Sequence, residues 1–221
     1  YNTSLTSALL QTAQFVHDSG YTGVPVLFSW ASRGKTFDYV YDLNSAAMAR
    51  DALIETAFIV GEDMSVSERY DVVAHSMGNL LTVEAMRQAA IQGTFDESGK
   101  IGAVILASPD IDVDLFRSQI ELIAPERRRF YVLVSGDDKA LATSRWLAGG
   151  INRVGDADDT RLADLGVVVI DLSKLKANDS YNHGKFADAP EAVQLIGSSL
   201  LSGTRLEGAT PPSLQEFLAI K

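Results

Sequence analysis

Short apolar runs rich in Val, Ile and Phe recur along the chain with segments of helical period between them, and this alternation constrains the fold more than any other feature. The runs are VPVLFSW at 24–30, DVVAH at 71–75, IGAVILA at 101–107, FYVLVS at 130–135 and GVVVIDL at 166–172. A strand with one wet face alternates apolar with polar residues, whereas an unbroken apolar run belongs to a strand covered on both faces, as in a parallel sheet. Between the runs, 45–60 carries Ala46, Ala49, Leu53, Ala57 and Val60 on one side, and 79–92 carries Leu80, Val83, Met86 and Ala90 likewise. A further helix is expected over 190–201, with Pro190 suited to its first turn. Strands alternating with helices imply βαβ crossovers, and so an α/β domain of three layers: a mostly parallel sheet with helices on both faces. In such sheets chemistry gathers in the loops beyond the carboxyl ends of the strands.

A chain of 221 residues suits one domain, expected here over 1–207, with 208–221, containing Pro211 and Pro212, as a linker and short final helix. The formal charge of −10 argues against nucleic acid or an anionic membrane as partner, since either calls for a cationic face. Arg127, Arg128 and Arg129 read as a solvated approach to the strand at 130. The absence of cysteine excludes disulfides, thiolate metal sites and a cysteine nucleophile. No apolar run reaches the roughly 18 residues of a membrane span, and no basic leader followed by an apolar stretch opens the chain. Any targeting signal is therefore expected to have been removed or never present. The aspartates Asp156, Asp158 and Asp159 in the polar stretch 152–164 lack the Gly and terminal Glu of a calcium loop, so no metal is expected there.

The stretch VVAHSMGNLL at 72–81 places a serine where a strand gives way to a helix. Ala74-His75-Ser76-Met77-Gly78 has the context of a nucleophile elbow, a strained turn that lifts the serine Oγ above the sheet. Small residues two before and two after are needed where strand and helix approach, and Ala74 and Gly78 meet that need. The competing reading is a capping serine whose hydroxyl satisfies a helix N–H.

A serine nucleophile requires a base and an acid to orient it, in this setting in the chain order Ser, Asp or Glu, His. The chain has three histidines. His17 lies in a helix-like segment before the serine, and His75 is beside it on the strand, where neighbouring side chains point to opposite faces. His183 remains, in the polar loop KANDSYNHGKF after the last strand. For the acid, Asp137 and Asp138 follow the strand at 130–135, and Asp110 and Asp112 follow the one before it. Either pair could instead cap a helix. One donor to a developing oxyanion is expected from the N–H of Met77, directly after the serine, and a second from a loop after an earlier central strand.

With YNTS, FSWASRG, AHSMGN, SPDID, SGDDKAL and NHGKF, most of the chain resembles the α/β-hydrolases, and within them a bacterial family catalogued as domain of unknown function 900, similar to esterases and lipases. The resemblance implies the α/β-hydrolase fold, with Ser76 as nucleophile, Asp138 as acid, His183 as base, and the N–H groups of Met77 and Tyr1 as the oxyanion hole. It leaves the compartment open between cell envelope, periplasm and cytoplasm. There are two departures. Ala31 stands where the family has proline, and the His-Gly pair that precedes YNTS in the family, with its strand, does not occur here. A sheet lacking a central strand would expose unpaired backbone, so this chain is expected to be the ordered or processed part of a longer one, or to receive the strand from another segment.

Trp30, Phe37, Tyr39, Phe116 and Trp146 fall on carboxyl-end loops and are the expected pocket walls. With no long lid-like insertion, a short or medium acyl ester is the expected substrate, hydrolysed without a cofactor. A thioesterase, acyltransferase or peptidase would use the same groups, and a non-catalytic binding protein on this scaffold is the alternative of a different kind. The oligomeric state is not legible.

Overall fold

The computed structural model describes residues 2–156, 161–176 and 180–202. Strands β1 (Tyr70–His75), β2 (Ile101–Ala107), β3 (Phe130–Val134) and β4 (Val168–Asp171) form a parallel sheet in that spatial order. Around it lie α1 (Leu5–Ser19), α2 (Tyr39–Glu62), α3 (Met77–Ile91), α4 (Val113–Ile120), α5 (Lys139–Leu147), the single turn α6 (Lys185–Asp188) and α7 (Pro190–Ser202). One rung of the ladder runs Val73, Ile105, Tyr131, Val168.

The period of two in the strands sorts the sheet into two cores. Val104, Leu106, Phe130, Val132 and Val134 turn to one face and pack with Val83 and Met86 of α3 and Phe116 and Ile120 of α4. Ile105, Ala107 and Leu133 turn to the other and meet Phe15 of α1, Phe186 of α6 and Ala192 and Ile196 of α7. Both sets are buried, which is why β2 reads as an unbroken apolar run. Each fully buried aliphatic side chain stabilises the fold by roughly 1.5–3 kcal/mol relative to exposure.

Helix ends follow their sequences. Ser4 Oγ accepts the Ser7 N–H at the start of α1, and Gly20, with φ of 67°, closes it. Helix α7 crosses α1 closely at Gly197, where a Cβ would lie 2.2 Å from the Ser19 carbonyl oxygen.

One expected strand is not one. Residues 24–30 have no ladder partner among the described residues, and Val24 and Val26 are 88% and 62% exposed. Apolar, β-branched composition supplies strand propensity, but a strand exists only through a neighbour's hydrogen bonds, and β1 is the outer strand of this sheet. The stretch 152–164 is also more than a polar excursion. Val154 and Leu162 are buried in the first core, and the backbone of Val154 and Gly155 bonds to Ile111 and Pro109 across the ends of the strands. Tyr1, Asp158 and Asp159, and the expected tail 208–221, lie outside the described residues.

Candidate active site

Ser76 follows β1 directly, with φ 54° and ψ −125°, a left-handed backbone that costs a non-glycine residue about 1–3 kcal/mol. A capping serine is extended and uses its hydroxyl; Ser76 is neither, for its side chain makes no cap bond to α3. The turn is held through its backbone. The Ser76 carbonyl accepts from the Asn79 N–H at 3.1 Å, the Asn79 side-chain amide at 2.9 Å and the Asp110 N–H at 3.3 Å. The same amide reaches the Ala107 carbonyl at 2.8 Å, so Asn79, fully buried, ties the elbow to the end of β2. The ring of Trp30 lies over Gly78, 3.4 Å from where a Cβ would stand, so the crowding neighbour at this position is an indole. Met77 opens α3, and a helix's first N–H groups have no intrahelical acceptor.

His183 sits in the loop between β4 and α6. Its Nδ1 is 2.7 Å from Asp138 Oδ2, with the carboxylate fully buried and the imidazole mostly so. The other oxygen of Asp138 accepts the N–H groups of Ala140 and Leu141 at 3.0 Å each, capping α5. Capping a helix and contacting the imidazole, which the sequence posed as alternatives for these aspartates, are shared between the two oxygens of one carboxylate. His75, the residue before the serine, packs against this pair: its ring is 4.5 Å from that of His183 and 4.6 Å from that of Phe186. Burial first, and the nearby His183 second, push the His75 imidazole well below the ordinary histidine range. Part of its surface stays accessible, but both rings enclose it.

A model of the family described as alpha/beta hydrolase of unknown function (DUF900) matches residues 1–199. The chain belongs to this family. No curated protein and no solved structure matches it.

In this DUF900 chain the remaining carboxylates are committed elsewhere. Asp110, buried, accepts from Tyr39 Oη at 3.0 Å and Ser144 Oγ at 2.8 Å and pairs with the buried Arg153 at 3.2 Å. Asp112 caps α4 through the Leu115 N–H. Asp137 accepts from Lys185 Nζ at 2.5 Å, Ser135 Oγ at 2.6 Å and the Asn182 amide at 3.0 Å. Burial alone would raise the Asp137 carboxyl, but the Lys185 ammonium and the Ser135 hydroxyl outweigh it and hold it below the usual carboxylate range.

Of the expected pocket walls, Trp30 is half-buried beside the elbow, whereas Phe37 and Trp146 are 87% and 73% exposed. Tyr39 is buried with its hydroxyl on Asp110, and Phe116 is fully buried in the first core. Both are core residues with no surface left for a ligand. An apolar cavity of about 450 Å³ lies between α2, α3 and the amino-terminal half of β1, lined by Leu53, Phe58, Tyr70, Val72 and Met86, at the opposite end of the strand from Ser76. Among the described residues no cluster of His, Asp or Glu is placed to hold a metal ion, and no helix is long and apolar enough to cross a membrane.

Sequence reasoning missed Asn79 and Lys185 as parts of the site. Asn79 carried a signal, a polar residue three after the serine on an otherwise apolar helix face. Lys185 carried none, since a lysine in a polar loop reads as solvated until its burial is seen.

Proposed function

We propose that this hydrolase cleaves carboxylic esters of short to medium acyl length through an acyl-enzyme, with Ser76, His183 and Asp138 as the catalytic groups. The observation that carries the reading is the buried Asp138–His183 hydrogen bond, beyond the carboxyl ends of β3 and β4, on the same edge of the sheet as the strained, non-capping serine that follows β1. With Asp138 accepting from Nδ1–H, Nε2 is the unprotonated nitrogen of the neutral imidazole and the one that acts as the base. Ser76 Oγ attacks the ester carbonyl as its proton passes to Nε2, and the imidazolium formed is stabilised by the Asp138 carboxylate. The proton then goes to the leaving alkoxide. Water, deprotonated by His183 in turn, releases the acid and restores the serine. The Met77 N–H serves the developing oxyanion, a contribution of about 3 kcal/mol for such a donor. The Tyr1 N–H is the proposed second donor. Trp30 beside the elbow, with Phe37 and Trp146 at the rim, forms the proposed acyl contact surface.

The test is hydrolysis of p-nitrophenyl esters from acetate to palmitate together with labelling by a fluorophosphonate. We expect turnover peaking at short or medium chains, and both turnover and labelling abolished in Ser76→Ala and His183→Ala. A folded wild-type protein that neither labels nor turns over any ester would sink the reading and favour a binding role for the scaffold.

A further inference from the structure

His75 stands next to the proposed nucleophile, yet the reaction above gives it nothing to do. Its Nε2 lies 3.2 Å from the backbone carbonyl oxygen of His183. A carbonyl only accepts, so that nitrogen carries the hydrogen, and the tautomer of His75 is fixed as Nε2–H. The residue thereby joins the end of β1 to the loop that presents the imidazole, across 108 positions of sequence.

That loop needs such ties. Its described residues between β4 and α6 form no helix or strand, and Asn182 takes φ 58°, a left-handed backbone that asparagine tolerates better than most residues but that neighbouring contacts must still select. Among its contacts are three to the 135–139 turn: the Lys139 N–H on the Tyr181 carbonyl at 2.9 Å, the Asn182 amide on Asp137, and His183 Nδ1 on Asp138. All three fix the loop relative to β3. None fixes it relative to the strand that carries Ser76. The hydrogen bond from His75 does, and the His75 ring, backed by Phe186, is the surface against which the His183 imidazole lies.

We propose that His75 is a positioning residue for His183: its Nε2–H sets the distance between the imidazole and Ser76, while its ring sets the tilt of the imidazole toward Asp138. The inference rests on the esterase reading for its kinetic consequence, but not for its structural one. Because burial keeps His75 neutral, the imidazolium forming on His183 meets no second positive charge there. Strand phase makes the arrangement possible. Ala74 packs into the core shared with α3 and α4, so the next side chain emerges toward α6 and the loop before it.

The experiment compares wild type with His75→Phe, which keeps a ring and removes the donor, and His75→Gln, which returns an N–H near the position of Nε2. Two readouts are taken on folded protein: p-nitrophenyl butyrate kinetics, and the low-field proton resonance of the His183 Nδ1–H bonded to Asp138. We expect kcat in His75→Phe to fall between about ten- and a hundredfold, the scale of a misplaced catalytic group, with KM within about twofold. The low-field resonance should shift or broaden. His75→Gln should recover most of kcat and the wild-type resonance. The proposal is overturned if His75→Phe matches wild type in the resonance, or if Phe and Gln variants are equally impaired, since the donor would then be irrelevant. A wild type with no turnover refutes the esterase reading, and the resonance alone then decides the role of His75.

Discussion

Lys185 gives the sharpest quantitative expectation. Its side chain is 1% exposed, yet it carries an ammonium held by Asp137, by Ser135 Oγ at 2.9 Å and by the carbonyls of Leu172 at 3.1 Å and Ser173 at 3.4 Å. Lys185→Met keeps much of the packing volume and removes the charge. Breaking a buried ion pair costs about 3–5 kcal/mol where the partner is left desolvated. Asp137, however, is 45% exposed and is rehydrated when its partner leaves, which pulls the figure down. The Leu172 and Ser173 carbonyls lose a donor, at about 1 kcal/mol or more each if buried. The expected loss is about 3 kcal/mol by urea denaturation at pH 7, and less in Lys185→Met/Asp137→Asn than the two single losses summed.

The pH dependence has a definite sign. The Asp137 carboxyl is depressed in the folded state, so its contribution is present above the unfolded carboxyl value of about 3.9 and is lost as pH falls through the lower folded value. Wild type should therefore shed part of its stability below about pH 4, and Lys185→Met should lack that part of the slope. A Lys185→Met variant within about 0.5 kcal/mol of wild type, the range of an ordinary surface change, or a double-mutant cycle with no coupling, would refute the argument.

Two further expectations concern neighbouring carboxylates and a helix crossing. Asp138→Asn keeps a side-chain oxygen able to cap α5, so stability should change by less than about 1 kcal/mol. Turnover should drop about 10,000-fold through loss of the imidazole tautomer. Asp110→Asn should do the reverse, costing about 3 kcal/mol by leaving Arg153 buried and unpaired while sparing the rate per folded molecule; thermal melts and ester kinetics on both variants check the pair, and a dead, stable Asp110→Asn would reassign the acid. Gly197→Ala forces α1 and α7 apart at Ser19 and should cost about 1–3 kcal/mol; an unchanged melt would show that the crossing has slack.

The layers were legible in the sequence because burial on both faces leaves a mark that composition preserves: every residue of β2 from Val104 to Ala107 is buried, and the run there is unbroken. Residues 24–30 show the limit of that signal, since apolarity reports a preference and not the presence of a neighbour. His183 could be isolated as candidate base because the chain has few histidines. Choosing among the aspartates was different. Asp137 and Asp138 are adjacent, identical in chemistry and both beyond β3, and only the resemblance ranked one above the other. Their environments separate them: one faces an ammonium, the other an imidazole and a helix end. Aromatic residues misled for a related reason. Tyr39 and Phe116 sit near strand ends in sequence, but their faces are spent on Asp110 and on the core. Whether an aromatic lines a pocket depends on what covers it, which position along the chain does not encode.

The shared carboxylate of Asp138 has a kinetic corollary. Because one oxygen holds the amides of Ala140 and Leu141 while the other holds the His183 imidazole, fraying of the first turn of α5 and release of the imidazole are one local opening event. Amide hydrogen exchange at those two positions therefore clocks how often the imidazole is set loose. A substitution on the far side of α5 that merely loosens its first turn would lower the fraction of molecules with an oriented imidazole without touching the site at all.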